Sequence, residues 1–171
     1  MTISMHQALV PPFVRMLDSL SALLAKGAAF AAERKIEPAV LLQARLAPDM
    51  FPLLRQVQVA TDQAKGGAAR LAGAEVPVWP DTEASFPELE ARVRRAVDYL
   101  KGFRANQIDG SEARAIVFKA GGHELQFKGQ DYLFGFVYPN FFFHLTAAYA
   151  ILRHNGVALG KRDFMGEVPL A

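Results

Sequence analysis

The stretch PNFFFHLTAAYAILRHNG, residues 139–156, decides the fold of this 171-residue chain. It belongs to a run of 21 residues, between Asp131 and Arg153, that contains no Asp, Glu, Lys or Arg. That length is enough to span a bilayer, but Pro139 and His144 interrupt the run. A helix that is apolar on most sides is typical of a bundle interior. We therefore expect a buried core helix over this range, beginning near Pro139, and no membrane span.

Upstream, apolar residues at helical spacing predict a first helix within residues 4–36. Pro11 and Pro12 leave its start open, because an interior proline loses a backbone hydrogen bond and clashes with the preceding turn. The helix either begins near Pro11, or begins near Ser4 and is kinked at the prolines.

Two more helices are predicted between these. The second begins at Pro48, since proline suits the first helical turn, and stops at Gly73. The third covers about residues 86–104 and begins at the sequence SFPE, residues 85–88, which fits a Ser-x-x-Glu capping box.

The period of the apolar pattern changes between the third and fourth predicted helices. Residues 113–128 hold two short alternating runs on either side of Gly121 and Gly122, a pattern that favours a β-hairpin. The sequence therefore predicts an all-α fold: a four-helix bundle with a small β-hairpin inserted between helices 3 and 4. We expect residues 1–171 to form a single domain.

Composition limits the function classes. Hydrophobic residues make up 51% and charged residues 21% of the chain, which is ordinary for a globular protein. There is no cysteine, which excludes disulfides, thiolate catalysis by the chain and the usual structural zinc sites. The net charge of +2 is too small to indicate nucleic-acid binding. We expect a cytoplasmic protein with no nucleic-acid partner.

A few polar residues are candidates for a site inside the bundle. Asn140 and His144 are four residues apart and share one face of the fourth helix. On the second helix Asp49 and Gln56 belong to a polar stripe that continues to Gln63 beside the apolar face. His6 shares a face with apolar residues of the first helix, if that helix extends so far.

Two of these candidates also have an ordinary structural explanation. A lone histidine such as His144 on an apolar helix is more often a hydrogen-bonded core residue than a ligand. Asp49 suits the positive start of a helix. Asp62 points away from the stripe and is expected to be solvated. Arg92, with Arg94 and Arg95, is interpreted as part of a solvated basic face.

Two long segments resemble a bacterial family of unknown function: residues 45–73, RLAPDMFPLLRQVQVATDQAKGGAARLAG, and residues 139–164, PNFFFHLTAAYAILRHNGVALGKRDF. That family is grouped with the DinB-like (YfiT-like) putative metalloenzyme superfamily. The resemblance also includes MHQALVPPFVRML near the N-terminus and GQDYL before the last helix, so it covers nearly the whole chain. It implies a four-helix bundle.

The resemblance also implies a location for a site. DinB-like proteins typically hold a divalent metal, often zinc or nickel, with one histidine from the second helix and a His-x-x-x-His pair from the fourth. Aligned on residues 152–156, LRHNG, His144 falls on the last of these histidines. Asn140 falls on the other member of the pair, and Gln56 falls near the second-helix histidine.

The departures from that pattern suggest that the site has lost its metal. Neutral amides are poor replacements for the nitrogen donors that Zn²⁺ and Ni²⁺ prefer. We therefore expect no cofactor; a divalent metal, if one is bound, would use His144 with Asn140 and either Gln56 or Asp49.

Two function classes follow. The first is a metal-free bundle that binds a small molecule or forms a dimer. The second is a metal-dependent or thiol-dependent transferase or hydrolase that uses a His144 pocket, with His144 as general base or last ligand and His6 or Asp49 completing the site. We expect a homodimer, because the apolar fourth helix has more hydrophobic surface than its neighbours can cover.

Overall fold

The computed structural model describes residues 2–168. Its long helices are α1 (Met5–Arg34), α3 (Leu53–Ala72), α4 (Phe86–Lys101) and α7 (Tyr138–His154). Its short helices are α2 (Pro38–Leu42), α5 (Ala105–Ile108), α6 (Gly129–Asp131) and α8 (Lys161–Met165). The strands are β1 (Ala115–Ala120) and β2 (His123–Lys128). The predicted all-α bundle with a hairpin before the last long helix is confirmed.

The four long helices enclose one apolar core. Helix α4 packs against both α1 and α3, and α3 also packs along α7. Between α1 and α7, the ring of Phe13 stacks on Phe141 with 4.2 Å between ring centroids. Both side chains are fully buried. The apolar residues whose spacing predicted the helices therefore lie on the helix faces that pack in this core.

The first helix begins at its earlier predicted start. Ser4 is the N-cap: its hydroxyl accepts from the Gln7 amide at 3.3 Å, and the Gln7 side chain accepts from the Ser4 amide at 3.1 Å. Pro11 and Pro12 lie inside the helix. Pro12 has no N–H to donate to the carbonyl of Ala8. The hydroxyl of Tyr138, on α7, donates to that carbonyl instead.

Because the Tyr138 hydroxyl takes the place of the missing backbone donor, removing it should destabilise the protein. Tyr138→Phe is expected to lower the free energy of unfolding by about 1–2 kcal/mol, because the Ala8 carbonyl then loses its partner. In a Pro12→Ala background the backbone N–H of residue 12 can take over, so the same substitution should cost less. Urea unfolding of the four proteins in this double-mutant cycle measures the difference. Equal costs in both backgrounds would contradict the explanation.

The second long helix begins later than predicted. Helix α3 starts at Leu53 with Pro52 as N-cap, and residues 48–52 precede it as irregular chain. The Leu53 amide donates to the Ala44 carbonyl at 2.9 Å, a tertiary contact that fixes the start here. The prediction that Pro48 opens the helix was wrong. The predicted stop at Gly73 is confirmed, with φ of 69°.

The third helix and the hairpin follow the predicted order. Helix α4 ends at Lys101, three residues before the predicted end. Ser85 caps it as predicted, but the Glu88 carboxylate accepts from the Ala84 amide at 2.6 Å rather than from Ser85. In the hairpin, β1 and β2 pair antiparallel, and Gly121 and Gly122 have φ of 57° and 81°. Positive φ at both central residues is what a type I′ turn requires.

The helical segment that carries the last long helix begins earlier than Pro139. Helix α6 leads directly into a π-helical turn, Tyr132–Val137, which continues as α7. Tyr132 and Phe136 of this turn pack against Phe118 and Phe127 of the hairpin, with ring centroids 5.3–5.9 Å apart. The hairpin therefore packs on the bundle through the π-helical turn.

One helix within residues 2–168, α1, is long and apolar enough to cross a membrane by length and composition alone. Its apolar side chains form part of the bundle core, since Leu9, Phe13, Leu17 and Leu20 are fully buried. This burial is what a core helix requires.

Candidate functional site

A short hydrogen-bond chain connects the last helix to the start of α3. Nδ1 of His144 lies 2.7 Å from Oε1 of Gln56, and Nε2 of Gln56 donates to the Phe51 carbonyl at 3.0 Å. Because a carbonyl only accepts, Phe51 fixes the orientation of the Gln56 amide. Its oxygen therefore faces His144, so Nδ1 carries the hydrogen and Nε2 carries the free lone pair.

The imidazole at this site is held in its neutral form. His144 is 8% exposed and Gln56 is 1% exposed. Burial lowers the pKa of His144 below its ordinary value, and the positive charge of Arg55 lowers that pKa further. A neutral imidazole with Nδ1 engaged can accept a hydrogen bond at Nε2.

Two exposed phenyl rings flank His144. The Phe51 ring lies nearly parallel to the imidazole, at 22° and 6.4 Å between centroids, and the Phe143 ring lies perpendicular to it at 5.2 Å. The exposed fractions of these two residues are 50% and 57%. The guanidinium of Arg55 lies over Phe51, 5.8 Å from the ring centroid, and is paired with the Asp81 carboxylate. We call Phe51, Arg55, Gln56, Phe143 and His144 the His144 site.

Of the residues predicted to line a pocket, the structure joins Gln56 to His144 by a hydrogen bond and keeps Asn140 on the same helix as His144, one turn before it. Asn140 is half-buried, and its amide donates to the Phe136 carbonyl one turn back, at 2.7 Å. Asp49 is exposed in the segment before α3 and does not belong to the polar stripe of that helix.

His6 lies toward a different part of the bundle. Its Nε2 is 3.1 Å from the Phe103 carbonyl, and its backbone amide donates to the Asp109 carboxylate at 2.8 Å. The next turn of α1 lies near Gly67, as the Leu9 side chain shows. Gly67 is eleven residues beyond Gln56, about 16 Å along α3 at 1.5 Å per residue. His6 therefore does not complete the His144 site.

The residues present do not fit the three-histidine metal centre that the resemblance implies. Zn²⁺ in proteins is held by four ligands in tetrahedral geometry, at least three of them from the protein. Within residues 2–168, no group of three or more His, Cys, Asp or Glu residues is placed to hold a metal. Nδ1 of His144 is engaged by Gln56, and the Asn140 amide is engaged by the backbone.

The most heavily bonded charged group is one that the sequence interpretation left in solvent. Arg92 is 4% exposed, so its assignment to a solvated face was wrong. Its guanidinium donates to the Thr61 hydroxyl at 2.8 Å and the Pro80 carbonyl at 3.1 Å. It also pairs at 3.0 Å with each of three carboxylates, those of Asp62, Asp81 and Glu83. We call Arg92 with these three carboxylates the Arg92 cluster.

The Arg92 cluster ties the segment between α3 and α4 to both helices. Asp62, expected to be solvated, instead joins Arg92 and Lys65, the latter at 2.7 Å. Trp79 is 7% exposed, and Lys65 and Arg95 lie 4.5 and 4.4 Å from its ring centroid. A signal for this burial was available, because Arg92 follows the buried Leu89 by three residues and precedes the buried Ala96 by four.

A sizeable cavity lies apart from the His144 site. It has a volume of about 1090 Å³ and lies between the outer face of α1 and the chain around α8. Its walls include Pro11, Arg15 and Ser19 from α1, with Arg162 and Val168 opposite. This cavity and His144 therefore lie in different parts of the molecule.

The lowered pKa of His144 predicts how stability depends on pH. The unfolded chain has the ordinary histidine pKa of about 6.5, so below that pH it binds more protons than the folded chain does. The free energy of unfolding should therefore rise with pH up to about 6.5 and then level off. In urea unfolding, the difference between the native protein and His144→Gln should follow this curve. His154→Gln, which removes an exposed imidazole from the same helix, is the matched control; a pH-independent difference for His144→Gln would contradict the assignment.

Together, the bundle, the hairpin before the last helix and the single histidine facing the second long helix define a DinB-like four-helix-bundle protein. The chain belongs to the DUF1993 family, a domain of unknown function, whose family model matches residues 5–165. The predicted relationship to an unknown-function DinB-like family is thereby confirmed.

A solved structure supports the same assignment. The chain is similar to the crystal structure of a DinB family member protein from Shewanella denitrificans, with 39% sequence identity and a TM-score of 0.87. The match covers 97% of this chain and 94% of that one. No curated protein matches the chain.

Proposed function

We propose that this protein is a small-molecule-binding DinB-like bundle without a resident transition metal, and that its ligand donates a hydrogen bond to Nε2 of His144. The observation that carries the proposal is the chain from His144 through Gln56 to the Phe51 carbonyl. It fixes the tautomer, and Nε2 has no hydrogen-bond partner among residues 2–168. The adjacent exposed rings of Phe51 and Phe143 supply apolar contact for a bound molecule.

The test observes the NMR signal of the His144 imidazole. Protein without a polyhistidine tag, labelled with ¹³C at its histidine rings, is screened by NMR against a library of small fragments. The expected result is a group of fragments that shift the His144 ring signal, assigned by its loss in His144→Gln, and leave the His154 signal unchanged. Elemental analysis of the same preparation should find no stoichiometric zinc or nickel. A library that leaves the His144 signal unmoved overturns ligand binding at this site.

Self-association is the second part of the proposal. Phe143 is 57% exposed on α7, and a second copy of the chain packed against this helix would remove its ring from water. We expect a homodimer in light scattering at tens of micromolar, and a monomer for Phe143→Ser. A monomeric native protein would contradict this part.

We place the protein in the cytoplasm, in keeping with its lack of cysteine, and cell fractionation tests that placement.

An enzymatic role remains the alternative because a neutral imidazole with a fixed tautomer can serve as a general base. Such an enzyme would be a transferase or hydrolase, with Nε2 of His144 taking a proton from a water or a thiol. Turnover of an activated ester or thiol substrate, lost in His144→Gln but retained in His154→Gln, would favour this alternative over simple binding.

A further inference from the structure

The outward side of α7 and of the π-helical turn before it carries no charge. Its exposed or half-buried residues recur every three or four positions, a spacing that puts them on one side of the helix. They are Gly135, Pro139, Phe143, Thr146 and Ala150. We call these five residues the α7 face. Phe143, at its middle, is 57% exposed, so an apolar ring stands in water on a surface without charge.

Opposite charges lie at the two ends of the α7 face. Asp131 precedes Gly135 by four residues and Arg153 follows Ala150 by three, so both continue the same side of the helix. Both side chains are exposed, and neither forms an ion pair within residues 2–168. At about 1.5 Å per residue, the two residues are about 30 Å apart along the helix axis.

Neighbouring side chains preserve this difference in charge. Near Asp131, the exposed Glu112 and Lys128 offset each other, and the Gln130 amide donates to the Glu112 carbonyl. Near Arg153, helix α8 packs beside the end of α7 and begins with an exposed Lys-Arg pair, residues 161–162. The start of the α7 face is therefore negative and its end is positive.

We infer that two copies of the chain pair through the α7 face with their α7 helices antiparallel, so that Asp131 of each copy meets Arg153 of the other. This inference rests on the homodimer of the proposed function and specifies its surface and its direction. A two-fold axis near residue 142, midway between the two charges, forms both ion pairs at once and brings the two Phe143 rings together near the axis. A parallel pair would instead put like charges against each other at both ends.

The geometry of helix packing allows both ion pairs to form. Helices that cross at about 20° diverge by only about 5 Å at a point about 15 Å from the crossing, and the long arginine side chain spans that distance. Antiparallel packing also sets the positive start of each helix beside the negative end of the other.

Exchanging the two charges tests this arrangement. Asp131→Arg puts arginine at both ends of the α7 face, and Arg153→Asp puts aspartate at both ends, so either homodimer contains two repulsive pairs. The dissociation constant, measured by analytical ultracentrifugation over a dilution series, should rise about tenfold in each single variant, because two exposed ion pairs change from attraction to repulsion. The variant that combines both substitutions should regain the native dissociation constant. An equimolar mixture of the two single variants should form a heterodimer.

The controls carry the same changes of charge on α4, which packs against α1 and α3. Asp98→Arg and Arg94→Asp alter exposed residues of that helix and should leave the dissociation constant unchanged. The combined variant also controls for folding, because it contains both substitutions that weaken the dimer singly.

The outcomes separate the arrangement from the homodimer itself. If the native protein is a dimer that Phe143→Ser dissociates, and the charge variants dimerise as tightly as the native protein, the antiparallel arrangement is wrong although the homodimer stands. The same holds if the single variants weaken the dimer and the combined variant does not restore it. A native protein that stays monomeric throughout the dilution series overturns both the arrangement and the proposed homodimer.

Discussion

Replacing Arg92 by methionine is expected to lower the free energy of unfolding by about 3 kcal/mol. The side chain of Arg92 is 2% exposed, whereas those of Asp62, Asp81 and Glu83 are 33%, 36% and 13% exposed. Removing the guanidinium leaves three carboxylates close together without their shared cation, and breaking a buried ion pair typically costs 3–5 kcal/mol. We place the loss at the lower end because water screens the partly exposed carboxylates. Urea unfolding monitored by circular dichroism measures it.

The matched control is Arg94→Met on the same helix. Arg94 is 63% exposed and makes one long contact to Glu90 at 3.7 Å, so its replacement should change stability by no more than about 0.5 kcal/mol. Arg92→Lys should recover little, because a single ammonium cannot reach the several acceptors that the planar guanidinium contacts. Similar losses for Arg92→Met and Arg94→Met would show that the Arg92 cluster contributes little to stability.

Trp79 fluorescence offers a local measure of the same substitution. The tryptophan lies in the segment that the Arg92 cluster holds against α3 and α4. In Arg92→Met its emission should move toward that of solvent-exposed indole before global unfolding occurs. Unchanged emission in the folded variant would mean that packing alone holds the segment.

Local patterns in the sequence were enough to predict the bundle. Helix α4 shows why: its buried residues Leu89, Val93 and Leu100 repeat at helical spacing, and its start carries a capping serine. The hairpin was predictable for a similar reason, since two adjacent glycines supply both positive φ angles of its turn. Each of these signals lies within a few residues along the chain.

The errors arise where distant parts of the chain meet. The start of α3 depends on the Leu53–Ala44 hydrogen bond, which no proline rule reveals. The environment of Arg92 depends on carboxylates from α3 and from the segment between α3 and α4, up to 30 residues away in sequence. Asn140 lies one turn before His144 on α7 as expected, but its amide is engaged by the Phe136 carbonyl of the preceding π-helical turn, a contact that periodicity does not reveal. The pairing of Gln56 with His144 spans 88 residues, and the resemblance to DinB-like proteins, rather than periodicity, placed Gln56 near the second-helix position of the metal site.

The substitution pair Gln56→His and Asn140→His is expected to create a zinc site where the native chain lacks the donors for one. The end of the Gln56 side chain already lies within hydrogen-bond distance of the His144 ring, and residue 140 lies one helical turn before residue 144. Three imidazoles then replace one imidazole and two amides, which is a donor set that suits Zn²⁺ with a water as fourth ligand. We expect one zinc per chain by elemental analysis of tag-free, dialysed protein. The melting temperature should rise with added zinc, because a metal at 100 times its Kd stabilises the folded state by about 2.7 kcal/mol.

The single variants Gln56→His and Asn140→His are the controls, since each supplies only two imidazoles and should hold zinc weakly. Adding His144→Ala to the double variant should abolish the zinc. If the native protein itself holds stoichiometric zinc that His144→Ala removes, the metal-free proposal is wrong and the enzymatic alternative gains support. If the double variant holds none, the three positions do not converge on one metal, although residues 140 and 144 lie one turn apart on the regular helix α7. In that case the distance between α3 and α7, as well as the chemistry of the side chains, excludes zinc from the site.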